Sequence, residues 1–171
     1  MSMRFTTDDL CLSYLDNFIW FDRIKERVPN FRMVAFAIGN NKNDELLVES
    51  NTFKDWFERH KDWVEIAVHS YDHQYPPDGD RDDEKYWIEK ALKSLRPFLP
   101  ERYGYRSAGW QTTNKTVPIL KSLGFSWIAY ESKIVDLETH EILERNIINT
   151  HIYDVNRLES LFKEVQSNEV F

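Results

Sequence analysis

Three stretches of this sequence bring together side chains able to bind a metal ion or move a proton. Two adjacent carboxylates, Asp8 and Asp9, stand near the start. The string HSYDH carries His69 and His73 four residues apart, and His151 follows a short apolar run near the end. If the segment between the two histidines closes a helical turn, both rings fall on one side and can grip one cation. Asp9 adds a hard oxygen ligand. Two imidazoles and one carboxylate leave an open coordination position on zinc or another first-row divalent ion, where water is polarised for attack. Asp8 is then placed to take the proton of that water. Neighbouring residues on an extended strand point apart, so Asp8 and Asp9 are expected to do different jobs. Taken singly, each piece has a plainer reading: a solvated turn or helix cap for the aspartates, structural hydrogen bonds for the histidines. His60 and His140 lie in charged segments without apparent partners, and Cys11 reads as a buried residue.

These groups need elements to position them. A short mixed segment at residues 3–6 comes first, then Leu12, Leu15, Ile19 and Ile24 predict a helix over 10–28 closed by Pro29. Residues 31–38 read as a strand ending at Gly39, and 40–44 as a turn. A helix is expected over 51–60 with Phe53, Trp56 and Phe57 inward, followed by a strand over 64–68. The string HSYDHQYPPDGDRDDE, rich in Pro, Gly and Asp, must be a loop at that strand's exit. Trp87, Ile88, Ala91, Leu92 and Leu95 give 82–98 one apolar helical face. A strand over 103–109, a helix over 113–123 stopped by Gly124, strands over 125–130 and within 142–149, and an amphipathic helix over 155–165 complete the pattern. Strands alternating with helices predict an α/β domain with mostly parallel strands, whose carboxyl ends converge on a site. Asp8, Asp9, His69, His73 and His151 all fall at such ends.

Composition narrows the function classes. The chain has 171 residues, 42% hydrophobic, 30% charged and 15% aromatic, which fits one folded domain over 1–171. Its net charge of −7, with no long Lys/Arg stripe, argues against nonspecific nucleic-acid binding. No run of 18 apolar residues is present, so no membrane span is expected. The first residues lack the apolar run of a secretory signal, and the single cysteine fits a reduced compartment, so a cytoplasmic location is expected.

Together the motifs resemble those of the polysaccharide deacetylase homology domain, the family 4 carbohydrate esterases. Thr6-Thr7-Asp8-Asp9-Leu10 is similar to the family's Thr-Phe-Asp-Asp-Gly string, and His69-Ser70-Tyr71-Asp72-His73 matches its His-Ser/Thr-x-x-His motif. Arg106-Ser107-Ala108-Gly109-Trp110 keeps the arginine of the Arg-x-Pro-aromatic motif. Asn149-Thr150-His151 keeps the histidine of Leu-x-His, with Asn149 where the family has the leucine that lines its acetyl pocket. The segment TVPILKSLGFSW resembles a packing helix and strand. The aspartate of the fourth motif has no counterpart around Trp127, so His151 lacks that carboxylate partner unless Asp136 or Asp154 reaches it.

The resemblance implies a distorted, incomplete β/α barrel, whereas local pattern alone fits an open doubly wound sheet equally well. It implies a divalent metal, zinc first, with cobalt, manganese or nickel as alternatives, on Asp9, His69 and His73. Asp8 is implied as general base, Arg106 as the group that keeps it ionised and aimed, and His151 as general acid. Gly109, Trp110 and Asn149 would face the substrate, with the Gly109 N–H a candidate oxyanion donor. Trp110, Trp127 and Tyr75 are candidates for stacking on sugar faces. The expected reaction is hydrolysis of a carbon–nitrogen amide bond on an N-acylated amino sugar or glycan. The alternative is a catalytically inactive, carbohydrate-binding protein of the same fold.

Overall fold

The structure is a computed structural model and describes residues 5–42, 44–73 and 83–167. Tyr75 lies outside them. Short apolar strands must pair laterally to satisfy their backbone, and the amphipathic helices between them must bury one face on the resulting sheet. Eight strands do so: β1 (Phe5–Leu10), β2 (Met33–Ile38), β3 (Val64–Ser70), β4 (Gly104–Tyr105), β5 (Trp127–Ala129), β6 (Lys133–Asp136), β7 (Ile142–Arg145) and β8 (Ile148–His151). Their spatial order is β7-β6-β5-β4-β3-β2-β1-β8. From β8 through β5 the pairing is parallel, and β6 and β7 add antiparallel pairs. The helices are α1 (Ile19–Arg27), α2 (Asn51–His60), α3 (Glu84–Leu95), α4 (Thr116–Ser122) and α5 (Val155–Gln166).

The curl of the sheet follows from its connectivity. β7 and β8 are its opposite edges, yet only Asn146 and Ile147 separate them in sequence. Three Cα steps span at most about 11 Å, whereas a flat sheet of this many strands would be about 34 Å wide. The two edges therefore approach each other, and the sheet closes into a curled half-barrel. Residues 142–151 act as one extended segment broken at Asn146, whose φ is 58°; the first half pairs with β6 and the second with β1. Across this seam the Asn149 amide donates to the Glu131 carbonyl.

Alternation along the strands sorts side chains into two layers. Val64, Ile66 and Val68 face the helices in the large core, while Val34, Phe36, Ala67, Trp127, Ala129 and Ile134 form a smaller cluster inside the curl. Trp127 is only 5% exposed and meets Phe36 edge-on, so it packs the interior and presents no face to a sugar. Its ring lies where a side chain at residue 104 would go, which is why Gly104 stands there.

Several elements differ from the sequence reading. The helix expected over 10–28 is shorter, because β1 continues through Leu10 and Leu12–Phe18 coil into a 3-10 helix before α1 starts. The strand expected over 103–109 is reduced to β4, because the backbone turns at residues 108–110. The short hairpin strand β6 was not anticipated. His60 does have partners: Nε2 lies 2.9 Å from Asp22 Oδ1, tying α2 to α1, and Nδ1 contacts the Trp56 carbonyl. Cys11 is buried, as expected. Among the described residues no helix is long and apolar enough to cross a membrane.

Candidate active site

Strand alternation carries Thr6 and Asp8 of β1, Ala67 and His69 of β3, and Asn149 and His151 of β8 to the inside of the curl. Regular alternation would send Asp9 outward. Instead β1 carries a bulge: Thr7 pairs with Ala35 and Leu10 with Ala37, so Asp8 and Asp9 together oppose Phe36. Asp9 adopts φ 66°, a left-handed conformation unusual for a residue with a side chain, and this turns its carboxylate back inward. A second bulge sits at His69, since Ala37 pairs with Val68 and Ile38 with Ser70. His73, Gly109 and Trp110 also have positive φ, at 50°, 62° and 58°. With Asp9 they line one cavity of about 390 Å³, together with Tyr14, Ile38, Asn41, His69, His151 and Tyr153. Backbone strain of this kind persists only where the surrounding structure holds it.

Three donor atoms converge in the cavity. Asp9 Oδ1 lies 3.0 Å from His73 Nε2 and 3.4 Å from His69 Nε2. Asp9 and His69 are buried, and Oδ1 accepts no hydrogen bond among the described residues. His69 Nδ1 is 2.9 Å from the Arg106 carbonyl, which accepts its proton. This contact fixes the His69 ring with Nε2 toward Asp9, the second contact that orients metal-binding histidines. Ligand atoms about 2.0–2.1 Å from one tetrahedral ion sit about 3.3 Å apart, close to both separations here. An orphaned buried oxygen facing two imidazole nitrogens at that spacing fits a divalent cation. Burial by itself raises the Asp9 carboxyl, but contacts with His151, then His69 and His73, outweigh it and hold the group well below the usual carboxylate range.

Asp8 has a different environment. It is fully buried, with Oδ1 2.7 Å from an Arg106 nitrogen and Oδ2 accepting from the Trp110 indole N–H at 2.7 Å. Arg106 also donates to Thr6 Oγ1 at 3.2 Å and to the Tyr130 carbonyl at 3.3 Å, and it lies over the Phe36 ring. Burial pushes the guanidinium below its ordinary range, and the Asp8 carboxylate opposes that shift. Removing one member of such a buried pair costs about 3–5 kcal/mol.

His151 reaches Asp9 from the other side, with Nδ1 3.1 Å from Oδ2. Neither carboxylate anticipated from the sequence serves it. Asp136 instead accepts the backbone N–H groups of Glu138 and Thr139 and pairs with Arg102, and Asp154 caps α5. The hydrogen bond with Asp9 raises the His151 pKa, and burial works against the rise. The imidazole stacks with Trp110, at 5.9 Å and 13°, and with Tyr153, at 5.2 Å and 25°; Tyr14 packs against Tyr153 and extends this aromatic wall.

The structure thus brings Asp8, Asp9, His69, His73, Arg106, Gly109, Trp110 and His151 together. Asn149 stands apart: its side chain accepts from Thr6 Oγ1 and donates to Glu131, and it does not line the cavity. Tyr14, Ile38, Asn41 and Tyr153 line the cavity without having been singled out from the sequence. Of these, only Tyr153 carried a signal, two residues beyond His151.

No protein-family model and no curated protein matches the sequence. Solved structures do. The chain is similar to a family 4 carbohydrate esterase from Streptomyces lividans solved with acetate, at 14% identity and TM-score 0.62, covering 96% of this chain and 85% of that one. This chain has the family 4 carbohydrate esterase fold. The esterase domain of a multidomain xylanase from the hindgut metagenome of Trinervitermes trinervoides is similar at 17% identity and TM-score 0.60, covering 98% and 82%. A family 4 pseudoenzyme from Bacillus anthracis is similar at 15% identity and TM-score 0.65, covering 96% of this chain and 59% of its own. At these identities the likeness is one of fold, and the site must be argued from its own residues.

Proposed function

We propose that this chain is a metal-dependent amidohydrolase that removes an N-acyl group, acetyl first, from an amino sugar or glycan. The convergence of Asp9 Oδ1 with His69 Nε2 and His73 Nε2, flanked by Asp8 and His151, carries the reading. Asp9, His69 and His73 would hold the cation, zinc first among first-row divalent ions. When bound, such an ion lowers the pKa of water and polarises an acyl carbonyl.

The chain's own groups supply the remaining chemistry. Asp8, aimed by Arg106, accepts a proton from the attacking water at Oδ2, the oxygen the arginine does not hold. The backbone N–H of Gly109 is the proposed donor to the developing oxyanion. His151 has Nδ1 committed to Asp9, so Nε2 is the nitrogen that protonates the departing amine. The C–N bond breaks, water supplies oxygen to the carboxylate product, and the amino sugar leaves as the amine. The stacked faces of His151 and Tyr153 give a sugar ring an apolar wall to lie against. The likeness to glycan deacetylases supports this substrate class.

Amine release from a panel of N-acylated sugars, measured on purified metal-loaded protein, tests the reading. Asp8→Asn and His151→Ala, checked for retained fold and metal, are each expected to lower the rate by about 10²–10⁴-fold. Release undiminished in D8N would rule out the base. Bound metal with no release from any sugar would instead favour the carbohydrate-binding reading.

A further inference from the structure

The group proposed to take a proton from water is closed off from water. Asp8 is 0% exposed, and both of its oxygens are engaged: Oδ1 by Arg106 and Oδ2 by the Trp110 indole N–H at 2.7 Å. A carboxylate oxygen can accept more than one hydrogen bond, but with no exposed surface Asp8 meets no solvent while the indole is in place. Trp110 itself lines the cavity and is only partly buried. The residue covering the base is therefore the one a ligand entering the cavity would push against.

The backbone provides a place for that movement. Trp110, directly after the permissive Gly109, has φ 58°, a left-handed conformation that a change toward the ordinary regions relaxes. Just beyond them the chain is anchored: Glu84 on α3 is buried and accepts from the hydroxyls of both Thr113 and Thr116. Ahead of them Arg106 is fixed by Asp8 and Thr6. Between these anchors, Gly109 and Trp110 are the residues that border the cavity.

We propose that Trp110 is a latch on Asp8, a positioning residue whose indole N–H withholds the carboxylate until a substrate entering the cavity displaces it. This inference rests on the hydrolase reading above. Opening the latch consumes part of the substrate's binding free energy, since only the unlatched fraction is competent. In exchange, a sugar that takes the place of the indole holds Asp8 uncovered.

Trp110→Phe tests the latch because it keeps an aromatic ring beside His151 while removing the N–H donor together with the indole's second ring. Metal-loaded W110F is expected to show kcat/KM for N-acetylchitooligosaccharides about tenfold above wild type, the factor by which losing a hydrogen bond to a charged group shifts such an equilibrium. An unchanged or lower kcat/KM at equal metal content would overturn the latch, because the N–H would then be neutral or needed to hold Asp8. Hydrogen exchange of the indole N–H, followed by NMR and assigned by its loss in W110F, provides a readout independent of activity. The latch requires this proton to exchange while the β1 amides stay protected; protection equal to theirs would overturn it. If neither protein releases amine, the hydrolase reading fails while the exchange result still decides whether the indole opens.

Discussion

Asp9 shows how much a single backbone angle can carry. In a regular strand it would face away from Asp8, and its φ of 66° at the bulge turns its carboxylate back to the side of the sheet that Asp8 faces, where the two have separate partners. The sequence displayed the pair and the two histidines, so the candidate metal set was legible as residue types. The bulges were not, because nothing in local composition marks where two parallel strands lose register. Nor was the use of Asp9 as the contact of His151, which depends on β8 lying next to β1. Asp136 makes the complementary point. It was a candidate for His151, but its carboxylate instead binds the tight turn after β6. The backbone N–H of Thr139 holds its pKa below the ordinary value against the opposing effect of burial, with help from the Glu138 N–H and Arg102. A folded pKa that is depressed gives stability present above the unfolded value near 3.9, lost as pH falls through the folded value. Asp136→Asn should therefore be less stable than wild type at neutral pH, with the gap narrowing as pH falls below about 4. Urea unfolding at both pH values measures it, and a gap independent of pH would contradict it.

At the scale of elements, helices with strong amphipathic patterns were readable: α2 matches its expected bounds, with Phe53 and Trp56 inward, and α3 and α5 lie within a few residues of theirs. The segment after β1 was misread because Leu12, Leu15 and Ile19 satisfy a helical period that a 3-10 helix followed by α1 also accommodates. β4 and β6 were hard to read because they are two and four residues long, too short for alternation to register. β4 survives because its neighbours demand it. Its Gly104 lets the Trp127 ring lie directly on the backbone, and an added Cβ would sit 2.1 Å from that ring. Gly104→Ala should cost about 1–3 kcal/mol or more through overpacking, read as a lower urea midpoint. A midpoint equal to wild type would mean that Trp127 is free to move, against its burial.

For the molecule as a whole, the alternation of strands and helices made an α/β architecture legible, but not whether the sheet stays open or curls. The resemblance to family 4 carbohydrate esterases pointed to the barrel. The structure shows the physical reason in residues 142–151, one extended segment that pairs with β6 and then with β1 and so draws the two sides together. The pairing of β8 with β1 brings His151 to Asp9, within reach of histidines from β3 and the segment after it. The central claim is that these parts grip one divalent ion, and the ion content of the purified protein tests it most directly. Titration of metal-free protein with Zn²⁺, followed calorimetrically, is expected to show one ion bound per chain in wild type and loss of that binding in a folded Asp9→Asn variant. No binding by the wild type, or equal affinity in D9N, would contradict the account.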